Sequence, residues 1–533
     1  MRESTIQMFE KESVIIEESK MNNESEIKFE ESENDSILDS YEYQNNISIW
    51  IKPTPKQEWI IQPDGSYVSS LSFATSVRKD SVSNMILDLV YVLLIFTLTN
   101  SFRSDLIKTP WFAIRNLFAL FSPIWHSWMG LFRYLNIFEE NDLVYTLFFF
   151  LNLVGAAALS INTDNCGTTG DRTGCVHFVW NIAILRLITV LGYLYGWYFN
   201  PRYHKFLKIR IINDVVRLLL WFITGFLLPK INDQCHKKDH FDSCWTLFYT
   251  FWWISWFSDN LQWIHIYYYL KSNYFSGKSE ILPLDTGLVV ERNEMFLMIS
   301  LGEVIMAVEN EQDSDKNYML YYLAPISIIT IIAGLMKVIL FDLNPAPSPT
   351  GKSGEKHALN RTFFMGVIWT YILMPLNVVV VMIGAIMSPM KAYQEVHYNH
   401  SIVLSFAFAF MIIFLTIIDL LHGERSKPRR VNRFYRILFG LFFSVMMAVL
   451  PFINDWNESP NQSLDFLLVN VIVFMFYVAF IYYSNFPSSV AKRDRQQNII
   501  DPLNGSFGMS SDGNIEITRY STTSTKYCPC EYY

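Results

Sequence analysis

The chain has 533 residues, of which 51% are hydrophobic, 16% aromatic and only 17% charged. Soluble domains carry nearer a quarter charged residues, so this composition argues against a water-soluble globule and points toward lipid. The net charge of −8 is a local property. Residues 1–46 hold 13 Asp and Glu against 4 Lys and Arg, and the remainder is about neutral, which leaves no basic surface suited to nucleic acid.

In chain order, residues 1–80 read as an acidic, largely disordered tail, with too few apolar side chains to support a core. No signal peptide opens the chain; the first long apolar run begins near Met85 and is expected to direct insertion itself. From 81 to 487 the apolar residues come in blocks of about 20, the length that crosses a hydrocarbon core of about 30 Å. "MILDLVYVLLIFTLTNSF" and "FLLVNVIVFMFYVAFIYY" are examples. The blocks predict about twelve helices, near 84–100, 111–133, 143–161, 176–198, 211–229, 245–270, 288–309, 318–341, 361–388, 401–421, 434–453 and 465–485. The fold class is therefore all-α, a polytopic transmembrane bundle. Residues 488–533 form a polar C-terminal tail.

An even number of crossings puts both tails on one side. Loops on that side include "NPRYHKFLKIR", "GKSGEKHALNR" and "HGERSKPRRVNRFYR", and they carry roughly twice the Lys and Arg of the loops opposite. The positive-inside rule then places both tails in the cytosol, with a plasma membrane or endomembrane as the home.

Two loops on the opposite face hold cysteines at C-x8-C spacing, Cys166 with Cys175 and Cys235 with Cys244. Disulfides persist on a non-cytosolic face, so each pair reads most simply as a bridge closing a short ring. Free thiols are an alternative. So is zinc, since His236 and His240 lie inside the second pair, although the first pair encloses no histidine. No metal and no cofactor are expected. The two pairs are offset by 69 residues, and "INTDNC" is echoed by "INDQC", which suggests a repeat of two helices.

Ionisable side chains at bilayer depth are costly and usually face the protein interior. Asp88 in the first helix, Arg186 in the fourth, Asp259 in the sixth, and Glu291, Arg292 and Glu303 in the seventh form the expected polar cluster. Arg292 and Glu303 are 11 positions apart, about three turns and some 16 Å along the axis, so they cannot pair with each other. Depth matches Asp88 with Arg292, and Arg186 with Glu303. His126, between Trp125 and Trp128, reads as a packed or interfacial histidine. Gly302 and Gly384 read as points of close helix contact. The aromatic run "FWWISWF" suits an interfacial belt.

Several of these stretches resemble the low temperature requirement A (LtrA) family of bacteria and fungi. "NMILDLVYV" is similar to a family element at Asp88, Leu89, Val90 and Val92. "PIWHSWMGLFRYLNIFEENDLVY" resembles its Trp-rich second helix and the following loop through Trp125, Trp128, Tyr134, Asn136, Phe138 and Asp142. "ERNEMFLMISLGEVIMAV" is similar to its most specific element at Glu291, Arg292, Phe296, Gly302 and Glu303. These matches span about 83–310, and weaker similarity runs on to about 390. The sequence departs from the family at Asn84, where an acid is usual, at Glu294 in place of Gly, at Val304 in place of Ser, and at Leu288 where His is common. The resemblance implies a fold and a polar site but no substrate.

No HExxH, GxSxG or Walker A pattern occurs, so an enzyme is not expected. The function expected is transport or channel-like passage of a small solute or ion through the Asp/Glu/Arg cluster, with the lipid bilayer as the surrounding partner. The alternative is a scaffold or lipid-interacting membrane protein whose buried charges are structural.

Overall fold

The computed structural model describes residues 59–61, 67–69, 82–138, 143–167, 172–237, 241–271, 280–282, 286–309, 319–339, 357–391, 398–422, 431–453 and 460–485. Asp142 and most of both tails lie outside the described residues. Within the first tail, Trp59–Ile61 (β1) and Tyr67–Ser69 (β2) pair antiparallel, with Ile60 opposite Val68. These are the two strands among the described residues.

Among the described residues, twelve long helices follow. They are α1 (Val82–Lys108), α2 (Pro110–Ile137), α3 (Leu143–Gly167), α4 (Arg172–Phe199), α5 (His204–Lys237), α6 (Phe241–Lys271), α7 (Thr286–Glu309), α8 (Met319–Lys337), α9 (Phe363–Lys391), α10 (Tyr398–Leu421), α11 (Arg433–Val449) and α12 (Pro460–Asn485). Eight of them, α1, α3, α4, α5 and α9 to α12, are long and apolar enough to cross a membrane. Of the other four, α2, α6 and α7 carry polar groups that the bundle buries, among them His126, Arg133, Asp259, Arg292 and Glu303. In α8 the apolar stretch, Ile326–Lys337, is short. The outer faces show what a lipid-facing helix requires: on α3, Leu143, Leu147, Phe150, Val154 and Ile161 are all exposed at helical spacing. This is an integral, multi-pass membrane protein.

α2 is the axis of the bundle. Every residue from Ala119 to Phe138 is buried, and the helix touches α1, α4, α6, α7 and α9. Pro110 opens it at the first turn, where a missing N–H costs nothing. Pro123 lies inside it and cannot donate to the carbonyl of Ala119. That oxygen is taken instead by the indole N–H of Trp252 on α6, at 2.9 Å. The proline that would weaken a lone helix thus docks a neighbouring one. Trp252 is itself buried and packs on Phe178 and Trp221, with ring centroids at 5.5 and 5.4 Å. This part of "FWWISWF" builds core and not the expected interfacial belt.

Each C-x8-C pair straddles a helix junction: Cys166 closes α3 and Cys175 opens α4, while Cys235 lies in the last turns of α5 and Cys244 in the first of α6. Cys166 and Cys175 are joined by a disulfide. The side chains of Cys235 and Cys244 lie outside the described residues.

Candidate functional site

Three helices, α1, α7 and α9, pack side by side and run parallel, as the odd-numbered members of an alternating bundle must. The register is legible in the contacts. Arg292 Nη1 on α7 lies 3.1 Å from Asp88 Oδ2 on α1, both residues buried. Eleven positions further along both helices, the Glu303 carboxyl is in hydrogen-bonding contact with Thr99. The same progression links α7 to α9: Ser300 Oγ donates to Asn377 Oδ1 at 2.7 Å, and Glu303 abuts Gly384. A Cβ on Gly384 would stand 2.8 Å from the Glu303 carbonyl carbon and 2.8 Å from the Val304 nitrogen. Only glycine permits that approach. Arg103 Nε, one turn beyond Thr99, donates to Ala385 O at 3.3 Å and completes the triangle.

The Asp88–Arg292 pair and Glu303 are separated by an aromatic layer. The Phe296 ring sits 4.6 Å from Trp128, 6.0 Å from Phe121 and 6.2 Å from Tyr91, centroid to centroid. Trp125 packs edge-on to Tyr371 at 5.8 Å. Glu303 is 5% exposed. The charge of Arg103 acts on it, but among the described residues it forms no direct salt bridge of the kind that Asp88 and Asp259 make.

A second polar centre joins α2, α4, α5 and α6. Arg186 Nη2 and Arg217 Nη1 lie 3.2 and 3.4 Å from the same Asp259 oxygen. Arg217 also pairs with Asp214 one turn away on its own helix. Arg186 Nη1 donates to the His126 carbonyl at 3.1 Å. It reaches that backbone past Gly130, whose missing side chain leaves the guanidinium room: a Cβ there would be 3.3 Å from Arg186 Nη1. Tyr371 donates to the Asp259 carbonyl at 3.3 Å. This centre is sealed, and Asp259 has no exposed surface.

At the end of the bundle where α7 and α9 begin and α10 ends, a small cavity lies between Asn293, Glu294, Leu297, His357, Trp369 and His422. The His357 ring sits against His422 at 4.7 Å and Trp369 at 4.9 Å. Burial, and then the neighbouring His422, push the His357 imidazole down to about 3.

The expected cluster therefore divides. Asp88 and Arg292 meet as depth predicted. Arg186 does not meet Glu303: both are deep, but α4 packs against α2, α3 and α5, whereas Glu303 faces α1 and α9. Glu291 points to the exposed side of α7 and leaves the cluster. His126 is buried against Trp125, with centroids at 5.0 Å, as a packed histidine should be. Gly302 is no contact point, since a Cβ there would meet nothing within 4 Å; Gly384 is. Asn136 is buried on α2.

Sequence reasoning missed Asp214 and Arg217. Their i,i+3 spacing was available, but the helix expected near 211–229 begins at His204, which places both charges well inside it. Ser300 and Asn377 are single polar residues in apolar runs, and Asn293 is hidden among the charges of Glu291, Arg292 and Glu294; none gives a signal until α7 meets α9.

The residues shared by the quoted motifs are distant in sequence, yet Asp88, Trp125, Trp128, Arg292, Phe296 and Glu303 gather around α1, α2 and α7. The family model described as "Bacterial low temperature requirement A protein (LtrA)" matches residues 85–457. The chain belongs to the LtrA family. Within this LtrA-family protein the match takes in α1 through α11 and so covers both polar centres. No curated protein matches the chain, and no solved structure does.

Proposed function

We propose that this LtrA-family protein is a non-enzymatic transporter or channel-like protein that passes a small solute or ion along the α1–α7–α9 seam, with both tails in the cytosol. The observation that carries this reading is Glu303, an acid buried between three parallel helices with no direct salt bridge among the described residues, the charge of Arg103 acting on it without one. A structural charge is normally matched by a direct ion pair, as at Asp259. A buried acid without one suits a place where a solute or ion binds in passing. The sealed Arg186–Asp259–Arg217 centre favours a packing role for that part of the molecule and is not assigned to the pathway.

The test is flux of a panel of solutes and ions in proteoliposomes, comparing wild type with Glu303→Gln. Flux that the substitution abolishes, in protein that remains monodisperse, supports the reading. No flux of any probe by well-folded wild type rejects it.

A further inference from the structure

The side chains along the α7–α9 seam are oriented alike. Asn293 Nδ2 donates to Val289 O at 2.7 Å, and Asn377 Nδ2 donates to Leu373 O at 2.7 Å. Ser300 Oγ donates to Asn377 Oδ1 at 2.7 Å. Each asparagine amide thus spends one N–H on its own helix and keeps the other, while its oxygen and the carboxyl groups of Glu294 and Glu303 offer lone pairs to a guest.

The cavity at Asn293 and Glu294 continues the pattern. Its lining includes no Lys or Arg, and Glu294 is its one charged residue. His422 Nδ1 donates to Ile418 O at 2.7 Å. His357 stays uncharged near neutrality, as burial dictates, so no imidazolium repels a cation. The space measures about 20 Å³ for the centre of a water molecule, enough for one species of that size. Leu373 and Leu376 are among its lining residues; Asn377, which accepts from Ser300, follows Leu376 directly on α9, and Glu303 follows Ser300 by three positions on α7.

A pocket whose one charged side chain is Glu294 and whose lining holds no Lys or Arg favours a cation or a hydrogen-bond donor over an anion. Among the described residues no group of three His, Cys, Asp or Glu can hold a metal ion, which disfavours a divalent guest. We propose that the species handled here is a small monovalent cation, no larger than ammonium, admitted through the pocket of Asn293, Glu294, His357 and His422 and received at Glu303. This rests on the transport reading above and names its substrate class.

Full-length protein in proteoliposomes would be given separate gradients of protons, sodium, potassium and ammonium, with chloride and glycerol as the anionic and neutral probes. The expected result is flux of at least one cation and none of chloride. That flux should fall by about tenfold or more in Glu294→Gln, the scale of one lost charge-assisted contact. Chloride or glycerol flux sensitive to Glu303→Gln would overturn the cation assignment and leave transport standing. Cation flux unchanged in Glu294→Gln would overturn the entry pocket. No flux of any probe would overturn both readings. Because the order of cation over chloride is read on wild type, the assignment stays decidable even where Glu294→Gln fails to fold.

Discussion

Arg292 on α7 reaches Asp88 on α1 across 204 positions of sequence and closes to 3.1 Å, with both side chains buried. The contact fixes the register of two parallel helices, and Glu303 meets Thr99 at the same offset. A buried pair of this kind is costly to break from one side only, since the survivor is left as an uncompensated charge. Asp88→Asn or Arg292→Gln alone should destabilise by about 3–5 kcal/mol. The exchange Asp88→Arg with Arg292→Asp should recover part of that loss. Thermal unfolding in detergent decides: a double exchange no better than the sum of the singles would show that the two residues do not act as a pair.

Asp259 is held differently, because two arginines share one of its oxygens. Asp259→Asn should therefore be among the most damaging single changes in the bundle, at about 3–5 kcal/mol. Its cost should be strongly non-additive with Arg186→Gln and Arg217→Gln, by about 0.5–3 kcal/mol in a double-mutant cycle. Additive losses would mean that the centre is not one network.

Gly384 and Gly302 make a matched contrast. Gly384→Ala would force a methyl into the backbone of Glu303 and Val304 and should destabilise by about 1–3 kcal/mol. Gly302→Ala meets open space and gains the usual helix preference for alanine, so it should be neutral or stabilising by up to about 1 kcal/mol. Melting temperatures of the two variants, measured side by side, check the α7–α9 contact directly.

His357 predicts a pH dependence with a defined sign. Its native pKa, about 3, lies below the unfolded value of about 6.5. Between those values the unfolded chain holds the proton and the native state does not, so stability rises with pH there. The contribution is complete above about 6.5 and is lost as pH falls toward 3. Stability measured from pH 7 down to pH 5 should decline less steeply in His357→Asn than in wild type. Equal slopes would remove His357 as the responsible group.

The Cys166–Cys175 bridge closes a short ring and should contribute about 2–3 kcal/mol. Cys166→Ser with Cys175→Ser should lower the melting temperature, and mass spectrometry of alkylated, unreduced protein should find this pair unlabelled. Labelling of both thiols without reductant would refute the bridge and weaken the argument for sidedness.

Sequence alone determined the membrane class, the number of long helices among the described residues and the order in depth of the charges it singled out. The reason is geometric: bilayer thickness sets helix length, and a rise of about 1.5 Å per residue turns position into depth. Depth was enough to match Asp88 with Arg292, because these two helices do become neighbours. It was not enough for Arg186, which shares a depth with Glu303 but stands on a helix that faces Asp259. Which helices touch, and which face each presents, depends on small side chains such as Gly384 and Gly130, and on side chains that meet only after folding, such as Ser300 with Asn377. Those contacts are sums of packing over the whole bundle, and no local pattern encodes them. The tertiary structure therefore decided that the six expected charges are not one site. It separated a sealed arginine–aspartate centre from a seam of polar side chains leading to Glu303.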